Sequence, residues 1–328
     1  MLSAAFRRSP RQGSFPAAAV PETSLSPAFV LARDPASPPP GLQHCVVAIG
    51  NFDGVHRGHK GVIARARALA HELQRPCAVL TFEPHPSDYF ARERVIFRLT
   101  PTLAKARLLA RLGLDGMIVF SFDAVLAGLS AGDFAAGILA RRVGACAVVA
   151  GYDFHFGKGR AGSPAFLKDA GARLGFQVEI VDKINADAEG SLEAGDVRRA
   201  RALLGHDYFI VGDVIKGRQV GRTLGFPTAN IAPDASCRLR HGVYAVRARV
   251  DGVMHDGVAS FGLRPTFDNG APLLEVFLFG FAGDLYGKEM EVAFVSFVRG
   301  EAKFDSVEAL VSRMREDEAE ARVVLAAS

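Results

Sequence analysis

The sequence predicts a Rossmann-like α/β domain followed by a small β-barrel with a C-terminal helix. Three observations predict it. At 328 residues and 35.0 kDa the chain exceeds what one compact core usually organises. From Cys45 to about Val181, short apolar runs alternate with segments of helical period, the pattern of βαβ units around a parallel sheet. Beyond residue 205 the period changes to two, and β-branched or aromatic runs follow one another without helices between them.

Taken in order, residues 1–28 are rich in Ala, Ser, Pro and Arg and poor in acids. They read as a disordered tail, with an organellar transit peptide as the lesser alternative. Strands are expected at 45–50, 77–82, 116–120, 145–150 and 176–181. Between the first two, Val62, Ile63, Ala66, Leu69, Ala70 and Leu73 recur at helical spacing and give a helix with one apolar face. Ser163 as N-cap and Pro164 at the first helical position open another helix. These elements make up an N-terminal domain over 29–192. A helix-like stretch at 193–205 opens the second domain, 193–328. Its strands are expected at 208–215, 242–250, 253–261, 273–281 and 290–298. Asp251-Gly252 supplies the turn of a hairpin, and Asp305 is expected to cap a last amphipathic helix ending near Leu325. The simplest arrangement is a small barrel closed by that helix.

Composition narrows the function. Hydrophobic residues at 49% with charged residues at 23% exclude a mostly disordered chain. The net charge of +4 and pI of about 9.0 come from interspersed acids and bases without a basic run. That disfavours nucleic acid as a partner and suits anionic substrates. No run approaches the roughly 18 apolar residues needed to span a bilayer, so no membrane partner is expected. Cys45, Cys77, Cys146 and Cys237 are scattered, with no CxxC pair, and read as buried thiols in a reducing cytoplasm. A homo-oligomer stays open.

Ile49-Gly-Asn-Phe-Asp-Gly-Val-His-Arg-Gly-His59 lies where the first expected strand feeds the first helix, the crevice in which open α/β sheets bind nucleotides. Gly50, Gly54 and Gly58 let backbone amides approach phosphate at a helix N-terminus. His56 and His59 can donate to phosphate oxygens as charge builds during attack on phosphorus. Thr81-Phe-Glu-Pro-His-Pro86 and Gly151-Tyr-Asp-Phe-His-Phe-Gly-Lys-Gly-Arg-Ala-Gly162 follow strands at the same sheet edge. Lys158 and Arg160, set among glycines, suit either a polyphosphate or a flavin edge.

In the second half, Gly221-Arg-Thr-Leu-Gly-Phe-Pro-Thr-Ala-Asn230 offers the Thr228 hydroxyl and the Asn230 amide oxygen, hard ligands suited to Mg²⁺ held on ATP phosphates. Gly217 and Gly221 flank a loop able to cover a nucleotide. Glu275 is a lone carboxylate amid Leu273, Leu274, Val276 and Phe277 and invites a functional explanation.

These segments together resemble the bifunctional riboflavin kinase/FMN adenylyltransferase family over residues 29–328. GxFDGVHxGH, FEPHP and GxDFxFGxxRxG mark its adenylyltransferase domain, of Rossmann-like nucleotidyltransferase type. The Pro-Thr-Ala-Asn segment and those downstream, including Phe297-Val-Arg-Gly-Glu-Ala-Lys-Phe304, mark its riboflavin kinase domain, a Greek-key barrel. The resemblance implies ATP as co-substrate, Mg²⁺, riboflavin and FMN. It places Gly50, Asn51, Asp53, Gly58, His56 and His59 around ATP, with Lys158, Arg160 and, in the kinase, Gly221 as further nucleotide contacts. Asp153 becomes a flavin contact, Glu275 the general base, and Arg299 a contact to flavin or phosphate. The chain departs from the family in one respect. An SSTxIR stretch expected before Gly195-Asp-Val-Arg-Arg-Ala-Arg-Ala-Leu-Leu-Gly205 is missing, and Asp182–Leu192 stand in its place. Fewer donors then meet the ATP phosphates, with Arg198 or Arg199 as candidate substitutes. The rival readings are a kinase alone, its N-terminal domain a flavin- or nucleotide-binding scaffold, and a basic nucleic-acid-binding protein.

Overall fold

The computed structural model describes residues 29–92, 95–182, 188–217, 221, 224–263 and 272–328. The expectation for residues 1–28 lies outside them. The first half is a six-stranded, wholly parallel sheet of β1 (Val30–Arg33), β2 (Val46–Ile49), β3 (Cys77–Glu83), β4 (Gly116–Ser121), β5 (Ala147–Gly151) and β6 (Gln177–Val181) in the order β1-β4-β3-β2-β5-β6. Winding reverses between β2 and β5, so a crevice opens at their carboxyl ends. The central strands read as unbroken apolar runs because helices cover both faces. Those helices are α1 (Arg57–Leu73), α2 (Pro86–Ala91), α3 (Thr102–Arg111), α4 (Ala124–Gly128), α5 (Ala131–Asp133), which runs on as π-helix over Phe134–Val143, and α6 (Pro164–Leu174).

The expected apolar face of α1 buries Val62, Ile63, Ala66, Leu69 and Ala70, whereas Leu73, in its last turn, is exposed. Ser163 caps α6 as expected, its hydroxyl accepting from the Phe166 N–H at 3.2 Å. The thiol expectation holds for two of four: Cys45 and Cys77 are buried, Cys146 and Cys237 only partly.

Two short helices, α7 (Glu189–Glu193) and α8 (Val197–Leu204), lead into an antiparallel near-barrel. Its strands are β7 (Phe209–Asp213), β8 (Ala229–Ile231), β9 (Gly242–Val250), β10 (Val253–Leu263), β11 (Pro272–Leu278) and β12 (Glu289–Arg299), in the order β7-β12-β9-β10-β11-β8. The succession β12-β9-β10-β11 is a Greek key. The β9–β10 hairpin turns at Asp251 and Gly252, with φ of 49° and 80°, as the Asp-Gly pair predicts. An Ile215–Asn230 bridge draws β7 toward β8. The last helix, α9 (Val307–Ala326), lies on the outer face of β9, β10 and β12 through Ala245, Val295, Ala321 and Leu325. Its cap is Ser306, whose hydroxyl accepts from the Ala309 N–H at 3.1 Å, and not the expected Asp305.

The halves share a boundary of interlocking side chains. Phe97 and Leu99, from the connection between α2 and α3, are buried in the barrel's cluster with Tyr208, Ile210 and Leu239, as are Ala188 and Leu192. Across the same boundary Glu291 of β12, buried at 4% exposure, pairs with Arg111 at 2.6 Å and Arg107 at 3.3 Å, both on α3.

Candidate active sites

At the switch point, residues 50–56 turn from β2 into α1 through strained backbone. Phe52 and Val55 hold φ of 49° and 40°, values that cost an L residue about 1–3 kcal/mol each. Burial of both side chains and an anchor at Asp53 hold them there. The Asp53 carboxylate accepts from the backbone N–H groups of Leu99 at 3.0 Å and Thr100 at 2.8 Å. Gly54, at φ 71°, packs so closely that a Cβ would lie 2.7 Å from Leu99. His56 then caps α1, its Nδ1 accepting from the His59 N–H at 3.3 Å, and the two imidazoles stack with centroids 3.6 Å apart.

This geometry sets the protons. His56 Nδ1 is an acceptor, so its neutral ring carries the proton on Nε2 and has it to donate. Burial lowers the pKa of His56, and burial, His56 and Lys105 together hold His59 well below the ordinary histidine value. His59 Nδ1 is buried with no hydrogen-bond partner among the described residues. His85 caps α2 by accepting from the Ser87 N–H on Nδ1, and burial lowers its pKa too. Its remaining N–H therefore sits on Nε2, 2.8 Å from the Asn51 amide. Asn51 must turn its oxygen to that N–H, leaving its NH₂ free.

These groups line one cleft of about 890 Å³, with Gly50, Asn51, His56, Gly58, His59, Asp153 and Arg160 among its walls. The structure thus brings together seven of the residues that the sequence assigns there. Asp53 and Lys158 are not in its lining; Asp53 is spent on the Leu99–Thr100 backbone, and the Lys158 N–H donates to the Leu129 carbonyl at 2.7 Å. Arg198 and Arg199, exposed on α8, do not line it either.

Two features of the cleft escaped the sequence reading. Phe90, 68% exposed, meets Phe122 edge-on at 5.7 Å on the rim, a pairing of distant residues that no local pattern reveals. Beneath the loop, the ammonium of Lys105, buried on α3, donates to the Asn51 carbonyl at 2.5 Å and the Thr81 hydroxyl at 3.3 Å. Burial pushes its pKa down to about 8. Its signal was present, since Lys105 shares a helical face with Leu108, Leu109 and Leu112.

The second site is a cavity of about 370 Å³ on the outer face of the barrel, roofed by Leu310, Met314 and Asp317 of α9. Glu275 stands on β11 in register with Asn230 of β8 on one side and Ser260 of β10 on the other, so the three side chains share a face. Thr228, Gly221 and Arg299 also line it. Asn230 is only 5% exposed, and a Cβ on Gly217 would come within 2.3 Å of its amide nitrogen, so glycine there admits the side chain. Arg299 reaches the wall already engaged, donating to both oxygens of buried Asp317 at 2.8 and 2.6 Å. Asp317 was not foreseen, because an acid within the run Glu316-Asp317-Glu318 of an amphipathic helix reads as solvated.

Comparisons with known proteins match both halves of the chain. The FAD synthetase family model matches residues 39–191 and the riboflavin kinase family model residues 204–325. A bifunctional riboflavin kinase/FMN adenylyltransferase from Pseudomonas fluorescens is 39% identical over 88% of this chain and 96% of its own. One from Listeria monocytogenes is 40% identical over 86% of this chain and 92% of its own. Among solved structures, a macrolide-efflux protein from Streptococcus pneumoniae superposes with a TM-score of 0.75 at 28% identity, covering 90% of this chain and 99% of that one. No helix among the described residues is long and apolar enough to cross a membrane. With the two family models matching residues 39–191 and 204–325 and relatives of 39–40% identity covering most of the chain, the chain belongs to the bifunctional riboflavin kinase/FMN adenylyltransferase family.

Proposed function

We propose that residues 193–328 transfer the γ-phosphoryl group of ATP to riboflavin, giving FMN, and that residues 29–192 transfer AMP from ATP to FMN, giving FAD. The observation that carries the reading is Glu275 set in register beside Asn230 in a cavity that Thr228 also lines. Phosphoryl transfer asks little of a protein beyond positioning, charge neutralisation and removal of one proton. Glu275 accepts the proton of the ribityl hydroxyl as its oxygen attacks the γ-phosphorus, and ADP leaves. Thr228 and Asn230 fit a hard cation, being two neutral oxygen donors, one of them held in a buried cradle. They would hold Mg²⁺, which when bound neutralises phosphate charge. Arg299, fixed by Asp317, faces flavin or phosphate with one geometry.

In the N-terminal cleft an FMN phosphate oxygen attacks the α-phosphorus of ATP, and pyrophosphate leaves. His56, Asn51 and Arg160 offer donors to the charge that develops. The aromatic rim at Phe90 and Phe122 offers a surface for the flavin rings, with Asp153 beside it. Four free thiols suit a reducing cytoplasm. Chromatography of products from riboflavin, ATP and Mg²⁺ tests the whole scheme. FMN should appear first and FAD after it; FMN without any FAD would leave the kinase alone, and neither product would overturn both assignments.

A further inference from the structure

The loop that carries His56 and His59 is held from outside its own domain. His206, in the connection between α8 and β7, directs Nε2 at the Gly54 carbonyl, 3.0 Å away, and Nδ1 at the Asp207 carbonyl, 2.8 Å away. Both partners are acceptors, so each contact needs an N–H from the ring, and a neutral ring has only one to give. Around this contact the loop is tied to the barrel side several times. The Lys60 ammonium donates to the Gly205 carbonyl at 3.1 Å, and a Cβ on Gly54 would lie 3.1 Å from Leu204. The Gly54 N–H donates to Thr100 Oγ1 at 2.8 Å, next to Leu99, which is itself buried in the barrel's cluster. The carbonyl held by His206 is two residues from His56, whose strained approach depends on where Gly54 sits.

We propose that His206 is a positioning residue for adenylyl transfer: from the kinase half it fixes the Gly54 carbonyl, and through it the placement of His56 and His59 in the N-terminal cleft. The inference rests on the proposed adenylyl-transfer site. The reaction needs donors placed where charge develops, and small displacements of such donors cost rate. A contact that sets the loop then acts on chemistry that it never touches. The kinase cavity, lined from the barrel strands, the 221–228 segment and α9, takes no wall from His206, so the two activities separate the positioning role from a general loss of fold.

The two ring nitrogens can be tested apart, because asparagine reproduces the reach of Nδ1 and glutamine that of Nε2. In the full chain, His206→Asn should keep the Asp207 contact and lose Gly54, while His206→Gln should keep Gly54. Initial rates of FAD formation from FMN and ATP, FMN formation from riboflavin in the same preparations, and hydrogen exchange of the amides of residues 53–60 are measured. Asn at position 206 should slow FAD formation about tenfold, the scale of one hydrogen bond, and speed exchange at Gly54 and His59, with FMN formation within about twofold. Gln should restore both readouts. Unchanged FAD formation and exchange in His206→Asn, or FAD and FMN formation falling together in both variants, would overturn the inference. If the unmodified chain makes no FAD, the adenylyl-transfer reading is what fails; exchange alone then decides whether His206 holds the loop, and equal protection in all three proteins sinks that too.

Discussion

Single side chains in this protein do their work through what surrounds them. Glu275 is flanked in register by Asn230 and Ser260 and lies on a strand whose other face fills the barrel. Glu275→Gln keeps shape and hydrogen-bonding capacity and removes the base, so FMN formation should fall by roughly 10²-fold, the scale of a lost general base. Near-normal turnover in a riboflavin phosphorylation assay would refute the role. Lys105 makes a prediction of the opposite kind, about stability. Its pKa drops from 10.5 in the open chain to about 8 when buried. Between those values the unfolded chain binds more protons, so stability rises with pH there. Below pH 8 the full cost of burying the ammonium is present, about 3 kcal/mol for a shift of that size. The native protein should therefore gain stability over Lys105→Met between pH 7 and pH 10. Urea unfolding of both proteins at each pH reads the difference, and parallel pH trends would mean that the lysine is not buried as a charge.

At the scale of elements, the sequence was legible wherever an element carries its own punctuation. Apolar runs of four or more marked β2 to β5, with glycine-rich turns after β2 and β5, and Ser163-Pro164 marked α6, because caps and burial on both faces are local properties. β1 and β8, of four and three residues, were missed. β1 is a half-exposed edge strand and β8 lies at the end of its sheet, so neither shows an extended pattern. The candidate sites divide the same way. Motifs at strand ends named most of the residues lining the two cavities, but the tie of Asp53 to Leu99 joins positions 46 apart and no spacing rule foretells it. The missing SSTxIR-type stretch leads to a prediction at this scale. Arg160 is the one arginine, and no lysine joins it, among the described residues lining the N-terminal cleft. FAD formation should then run well behind FMN formation. Restoring an SSTxIR-type stretch between Asp182 and Ala188, ahead of α7 because Leu192 is fully buried, should raise FAD formation about 10²-fold, the scale of a cluster of phosphate donors. Initial rates with FMN and ATP supplied directly decide it, and robust FAD synthesis by the unmodified chain would show that other donors serve.

The molecule as a whole is two active sites on one mechanical unit, and the charge cluster at Glu291 tests how that unit is joined. Phe97 and Leu99 give the boundary an apolar core that belongs to the barrel's cluster, although both come from the N-terminal half. Beside it the carboxylate of Glu291 lies buried between Arg107 and Arg111, with the Arg111 guanidinium also over the Phe209 ring at 5.5 Å. Removing Glu291 leaves Arg111 without its carboxylate and Arg107 with only Glu289, which it also pairs with; breaking a buried pair in this way typically costs about 3–5 kcal/mol. Replacing the whole set by apolar side chains removes the desolvation cost as well and is often neutral or stabilising. Glu291→Ala should accordingly lower the unfolding midpoint and split a single calorimetric transition in two, since the halves then lose a buried polar link. A variant with Arg107, Arg111 and Glu291 changed together to Met, Leu and Met should recover the midpoint of the native chain and its single transition. If the triple variant is as unstable as Glu291→Ala, the cluster contributes net stability rather than a balanced set of charges. If neither variant moves the midpoint, the other contacts across the boundary, the apolar ones of Phe97 and Leu99 among them, suffice to join the two halves.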